Sequence, residues 1–215
     1  MISEKLKIYV LVINMKNLNE KEIKILKSLN TPKKIQDFLD AISFNHEKNG
    51  ETCMSPVVVL KEKKAHCIEG ALLASVAMWL NKKDPLIISL KVKHGDYDHI
   101  ITLYKENGYY GAISKTNHNV LRWRDPVYKS VHELVMSYFH EYFLVDTGEK
   151  TLLGYTKPIN IKKFGTRWIT SKDNLWDIAE KIYDTPIIEI VPKENKKLLR
   201  KVSKIEMISA DIREW

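Results

Sequence analysis

The sequence predicts an α+β fold. Three observations carry that expectation: helical periodicity runs up to Leu80, the pattern turns to alternation after Pro85, and the alternating stretch contains a hairpin signal around Glu106, Asn107 and Gly108. Helices followed by neighbouring antiparallel strands give the layering of an α+β domain. With 215 residues, 44% of them hydrophobic and 29% charged, the chain can bury a sizeable core, and we expect a single domain over residues 1–215.

The elements follow in order. The apolar run KIYVLVINM is flanked by Glu4 and closed by Lys16, with no small-residue cleavage site behind it, so Ile8 to Ile13 read as a buried strand and not as a signal core. Asn19 caps a helix through NEKEIKILKSL, and Thr31 followed by Pro32 opens another through PKKIQDFLDAI. FNHEKNGETCMS is polar and turn-rich. Ser55 and Pro56 then start a short helix through VVVLKEKK, and Ala65 to Leu80 forms the strongest helix, with Ile68, Leu72, Val76, Trp79 and Leu80 on one stripe.

PLIISLKV, HIITLYK and YYGAIS read as strands, the last two as hairpin arms. TNHNVLRWRDP is expected to be a loop, KSVHELVMSYFHEYF a helix with aromatics on one side, Ser171 to Ile182 a capped helix and PIIEIV a strand, before a basic helical tail.

Charge and composition narrow the partners. Lys and Arg number 35 against 27 Asp and Glu, a formal +8, yet the basic runs Lys61 to Lys64 and Lys193 to Lys204 alternate with glutamates or apolar residues, as solvated helix faces do. No RNA-binding aromatic signature, zinc-finger spacing or glycine-rich phosphate loop accompanies them, so no nucleic-acid partner is expected. Two cysteines without a paired framework fit a reducing, cytoplasmic setting. No stretch reaches membrane-spanning length, so a soluble protein without a membrane partner is expected. No feature encodes an oligomeric state.

The stretch KKAHCIEGALLASVAMWL places Cys67 where polar residues give way to a long helix. A thiol in a helix's first turn feels unsatisfied N–H groups and the positive end of the dipole, which favour thiolate, and Lys63, Lys64 and His66 add positive potential. The competing reading is a buried cysteine that serves as a small hydrophobe. A nucleophilic thiolate needs a base, and His99 at the head of HIITLY is held rigidly enough to be one. If Tyr104 pairs with Tyr109, His99 lies opposite Ser114; a tighter Asn107-Gly108 turn puts Thr116 opposite and Ser114 diagonal. In both registers Ser114 shares the face of His99, so the group orienting the imidazole should come from Ser114 or its surroundings.

SPVVVLKEKKAHCIEGALLASVAMWL followed by HIITLYKENGYYGAIS resembles the core of transglutaminase-like cysteine proteins, which are related to papain. There a Cys starts a helix, a His begins the first strand of a hairpin and an Asp ends the second. The resemblance spans Thr31 to Asn119, about two fifths of the chain. It implies a transglutaminase-like core, a nucleophile-bearing helix packed on a small antiparallel β-sheet. It places the nucleophile on Cys67, the small residue behind it on Gly70, the histidine on His99 and the aromatic after the turn on Tyr109 or Tyr110. The chain departs from the family at the acid, where Ser114 stands and Asn117 follows; Asn117 would supply an orienting carbonyl if the strand end turned it toward His99.

The resemblance implies acyl transfer at a peptide or amide carbonyl, with hydrolysis through a thioester on Cys67, His99 removing and then donating a proton, Ser114 or Asn117 orienting the ring, and no cofactor. The alternative is a binding or scaffold protein of the same fold without turnover. Other constellations are thinner. His94 and His99, five apart beside Asp96 and Asp98, give metal binding only weak support, Cys53 and Cys67 fit neither a zinc knuckle nor a close redox pair, and Trp123 between Arg122 and Arg124 reads as a half-buried ring.

Overall fold

A computed structural model describes residues 18–213; the strand expected over Ile8 to Ile13 lies outside the described residues. The architecture is α+β, 40% helix and 22% strand, on a mostly antiparallel sheet. Local chemistry starts the first helices where expected. Asn19 accepts from the Glu22 N–H at 2.9 Å to open α1 (Glu20–Ser28), and the Thr31 hydroxyl accepts from Lys34 N–H at 3.2 Å to open α2 (Pro32–Ala41). Ser55 and Pro56 open α3 (Pro56–Glu62), which ends when Lys63 turns left-handed at φ 55°.

The turn-rich segment after α2 holds more order than its composition foretells. Ser43–Phe44 (β1) pairs in parallel with Lys64–Ala65 (β2), so residues 64–65 are extended and the next helix, α4 (Cys67–Leu80), begins at Cys67 and not at Ala65. The expected one-sided stripe is also too narrow. Apart from Cys67 and Trp79, α4 is buried on every side, because α1, α2, α3 and the sheet all pack around it.

A seven-stranded antiparallel sheet forms the second layer: β3 (Leu86–Val92), β4 (His99–Glu106), β5 (Tyr109–Ile113), β6 (Arg124–Tyr128), β7 (Leu152–Thr156), β8 (Ile159–Asn160) and β9 (Ile187–Glu189). Its order is β6-β5-β4-β3-β7-β9, with β8 also on β3. Ile87, Ile100, Tyr104 and Ile113 point toward α4, whereas Ile88, Leu90, Ile101, Leu103 and Ala112 point to a second core under α5 (Val131–Met136), Tyr138 and Phe139. Both faces are covered, which is why PLIISL and HIITLY are almost continuously apolar.

The hairpin settles the register. Glu106 pairs with Tyr109 around a two-residue turn in which Asn107 (φ 50°) and Gly108 (φ 89°) are both left-handed, so the tighter alternative holds and Ser114 is diagonal to His99. Several boundaries differ from expectation. RWRDP is not all loop, since β6 begins at Arg124 and carries Pro126 on the sheet edge, where its missing N–H costs no ladder bond. The aromatic helix breaks after Met136 and resumes as a single 3-10 turn, Phe139–Glu141. Ser171 ends the short α6 (Arg167–Thr170), and the next helix, α7, starts later at Trp176–Tyr183. The basic tail splits into a 3-10 turn over Lys193–Leu198 and α8 (Lys204–Ala210). Among the described residues no helix is long and apolar enough to cross a membrane.

Candidate active site

The start of α4 is held by Glu69, three residues past the N-cap His66. Its carboxylate is wholly buried and accepts from the N–H groups of His66 (2.9 Å) and Met54 (2.9 Å), the Thr52 hydroxyl (2.8 Å) and the Asn45 amide (3.1 Å). The loop from Asn45 to Met54 is thereby lashed to the first turn of the helix. Glu69 also faces His66 Nε2 at 3.3 Å. Burial alone would raise this carboxyl, but the His66 hydrogen bond and charge, with the Met54 and His66 amides, hold it at about 2.

His66 Nε2 lies 2.9 Å from the Thr52 carbonyl, which can only accept, so this nitrogen carries a proton. Cys67 is the first helical residue, is half-buried, and lines one cavity with His66 and His99. Burial pushes the thiol up, yet the hydrogen bond from His66, first among the opposing causes, and the imidazole neighbourhood bring it well below the ordinary thiol range, to about 5. Cys53 contrasts with it. That thiol is fully buried and pushed up to about 12, by burial first and the Glu69 charge second. Both cysteines are free.

His99, 6% exposed, opens β4 opposite Leu90. Its Nε2 stands 2.7 Å from Ser114 Oγ, while Ser114 Oγ donates its one proton to the Leu121 carbonyl at 2.5 Å. The hydroxyl must therefore accept from Nε2–H, which leaves Nδ1 as the nitrogen available to Cys67. Cys67, His99 and Ser114 thus come together. Asn117 lines the same cavity, and of the two candidates for orienting the ring it is Ser114 that meets Nε2.

Ser114 lies one residue past the end of β5, so something other than the ladder must fix it. The Gln36 amide does so by accepting from Ser114 N–H at 2.9 Å and donating to Ser114 C=O at 2.8 Å. Lys115 then turns inward, 1% exposed, and its ammonium donates to the Leu39 and Ile42 carbonyls at the C-terminus of α2 (2.8 and 2.7 Å). The Lys115 stem crosses α4 so closely that a Cβ on Gly70 would meet its Cβ at 2.5 Å, which is a packing reason for the glycine there.

A cavity of about 580 Å³ opens over the sulfur, walled by the Phe44–Cys53 loop, Asp96–His99, Lys115–Leu121, Tyr142 and the aromatic pair Trp176 and Tyr183. Asp98 is bound to Lys91 and the Val92 N–H, and Asp96 to Thr151 Oγ1 and the Tyr97 N–H, so both acids shape the loop before His99. Tyr142 has a buried hydroxyl without a hydrogen-bond partner. Ala210 closes one side, carried by a C-terminal segment in which His118 bridges Arg213 and Asn119 N–H donates to the Ile212 carbonyl. Trp123 stacks on Tyr104 at 4.9 Å and donates to Asp125.

Gln36, Glu69, Lys115 and Tyr142 are absent from the sequence-based site. Glu69 had a usable signal, its position three residues after an N-cap; the others are joined to the site by tertiary packing alone. Among the described residues no group of three or more His, Cys, Asp or Glu side chains converges as a metal site. No family model matches the chain, and no curated protein matches it in sequence.

Proposed function

We propose that this protein has a transglutaminase-like core and performs cysteine-dependent acyl transfer, hydrolysing a peptide or related amide through a thioester on Cys67. One observation carries this reading: a cysteine at the first position of a buried helix and an imidazole whose far nitrogen is fixed by a hydroxyl line the same substrate-sized cavity. Sγ attacks the carbonyl carbon. The C–N bond breaks as an adjacent imidazolium protonates the leaving nitrogen, and His99 then takes a proton from the water that opens the thioester. The Cys67 N–H, at the first helical position, has no acceptor within its own helix and would stabilise the intermediate oxyanion. Two free thiols fit a reducing cytoplasm.

Ser114 favours a second reading, a binding or scaffold protein without turnover, since a hydroxyl stabilises imidazolium less than a carboxylate does. Exposure to p-nitrophenyl acetate followed by intact-mass and peptide analysis separates the two. The enzyme acetylates Cys67, clears the thioester, and accumulates it when His99 is changed to Ala. No acetylation of Cys67 in either protein would leave only the scaffold.

A further inference from the structure

We infer that His66 is the imidazole that chiefly keeps Cys67 ionised in the resting protein, which leaves His99 to act as the base; this rests on the acyl-transfer reading above. The two rings differ in what holds their far nitrogens. His66 Nε2 faces three oxygens, Thr52 C=O at 2.9 Å, Glu69 Oε1 at 3.3 Å and Glu47 Oε1 at 3.5 Å, two of them carboxylate. His99 Nε2 faces one neutral hydroxyl.

The charged and titratable groups around His66 come from three elements: Glu69 and Cys67 on α4, Glu47 and Cys53 on the preceding loop, and His99 on β4 on the far side of the sulfur. Glu69 is the decisive one. It is sealed from solvent, its oxygens accept from the Asn45 amide, the Thr52 hydroxyl and the Met54 and His66 N–H groups, and the ring of His66 faces it at 3.3 Å. Burial works against the charge on His66, but the Cys67 and Glu69 contacts outweigh it and raise the ring far above its usual range.

The protons balance through a full cycle. Thiolate attack forms the C–S bond, the C–N bond breaks, and the amine leaves with a proton from the His66 ring. His99 then takes a proton from water as hydroxide adds to the thioester; when the C–S bond breaks, that proton passes to His66 and restores thiolate and imidazolium. His66 is thus the acid of the first half and His99 the base of the second.

The test is the ultraviolet titration of the Cys67 thiolate in a Cys53→Ser chain, compared with the same chain carrying His99→Ala or His66→Gln. The parent should titrate well below the ordinary thiol range, His99→Ala within about one pH unit of it, and His66→Gln about two units or more higher. A thiolate lost in His99→Ala and kept in His66→Gln would overturn the inference while leaving acyl transfer standing. A parent thiol in the ordinary range would overturn both. Because His66→Gln disturbs the Glu69 network, 15N spectra of the unaltered chain at neutral pH give a reading free of folding defects: His66 should be doubly protonated, and a singly protonated His66 would overturn the assignment.

Discussion

His99 Nε2 donates to Ser114 Oγ at 2.7 Å, and Ser114 passes its own proton on to the Leu121 carbonyl at 2.5 Å. The serine is thus a relay with one accepting and one donating contact, a role that a carboxylate cannot fill.

Ser114→Ala should therefore lower turnover on an acyl substrate by ~10- to 100-fold through a loosened imidazole, with little change in Cys67 alkylation. Ser114→Asp should not rescue it. The new carboxylate would meet the Leu121 carbonyl oxygen without a proton between them, and a loss of about 1–3 kcal/mol of stability, seen as a lower melting temperature, is expected. Thermal melts beside steady-state kinetics check both.

Gly70→Ala tests the close crossing behind the site. Its new Cβ would lie 2.5 Å from Lys115 Cβ, an atom next to the backbone that cannot swing aside. We expect about 1–3 kcal/mol of destabilisation in denaturant unfolding. Because Lys115 adjoins Ser114, turnover should fall as well; wild-type stability would contradict the packing described.

Two tyrosines give a matched contrast in thermal unfolding. The Tyr138 hydroxyl donates to Arg122 C=O at 2.9 Å, so Tyr138→Phe should cost about 1 kcal/mol. The buried Tyr142 hydroxyl has no partner, so Tyr142→Phe should be neutral or stabilising. Equal losses in the two variants would show that Tyr142 is bonded after all.

Stability should have a plateau in pH, and its signs follow from proton counting. Glu69, lowered from 4.5 to about 2, contributes stability that is lost as pH falls through that interval. Below 6.5 the unfolded chain binds two protons at His66 and Cys67, whereas the folded pair binds one until pH falls to about 5, so stability drops toward acid. Between 6.5 and 9.0 both states bind one proton, and this pair contributes no slope. Above 9.0 the unfolded chain binds none while the folded pair keeps one up to about 11, so stability falls again. Cys67→Ser removes the compensation and should lose stability from about pH 6.5 upward. Melting curves across pH decide it.

Much of this fold was legible because its signals are local. Asn19 and Thr31 announce their helices by side chains that reach only three residues ahead, and Asn107-Gly108 fixes its hairpin by two left-handed residues. Cys67, His99 and Ser114 could be read from spacing for the same reason, since a helix start and a hairpin register define them. What stayed hidden depends on distant chain. Lys115 in SKTNHN reads as a solvated lysine until α2 presents its carbonyls, and Gln36 reads as a helix surface residue until Ser114 arrives 78 positions later. Pro126 argues for a loop unless its strand lies at a sheet edge, and only pairing reveals that.

The most direct test of the central claim is the rate at which iodoacetamide modifies Cys67 between pH 6 and 8, followed by peptide mass spectrometry with Cys53 as internal reference. An ionised nucleophile predicts rapid modification of Cys67 at a rate nearly constant across that range, with Cys53 untouched in the folded protein. Slow modification that climbs about tenfold per pH unit would mark Cys67 as an ordinary thiol and contradict the account.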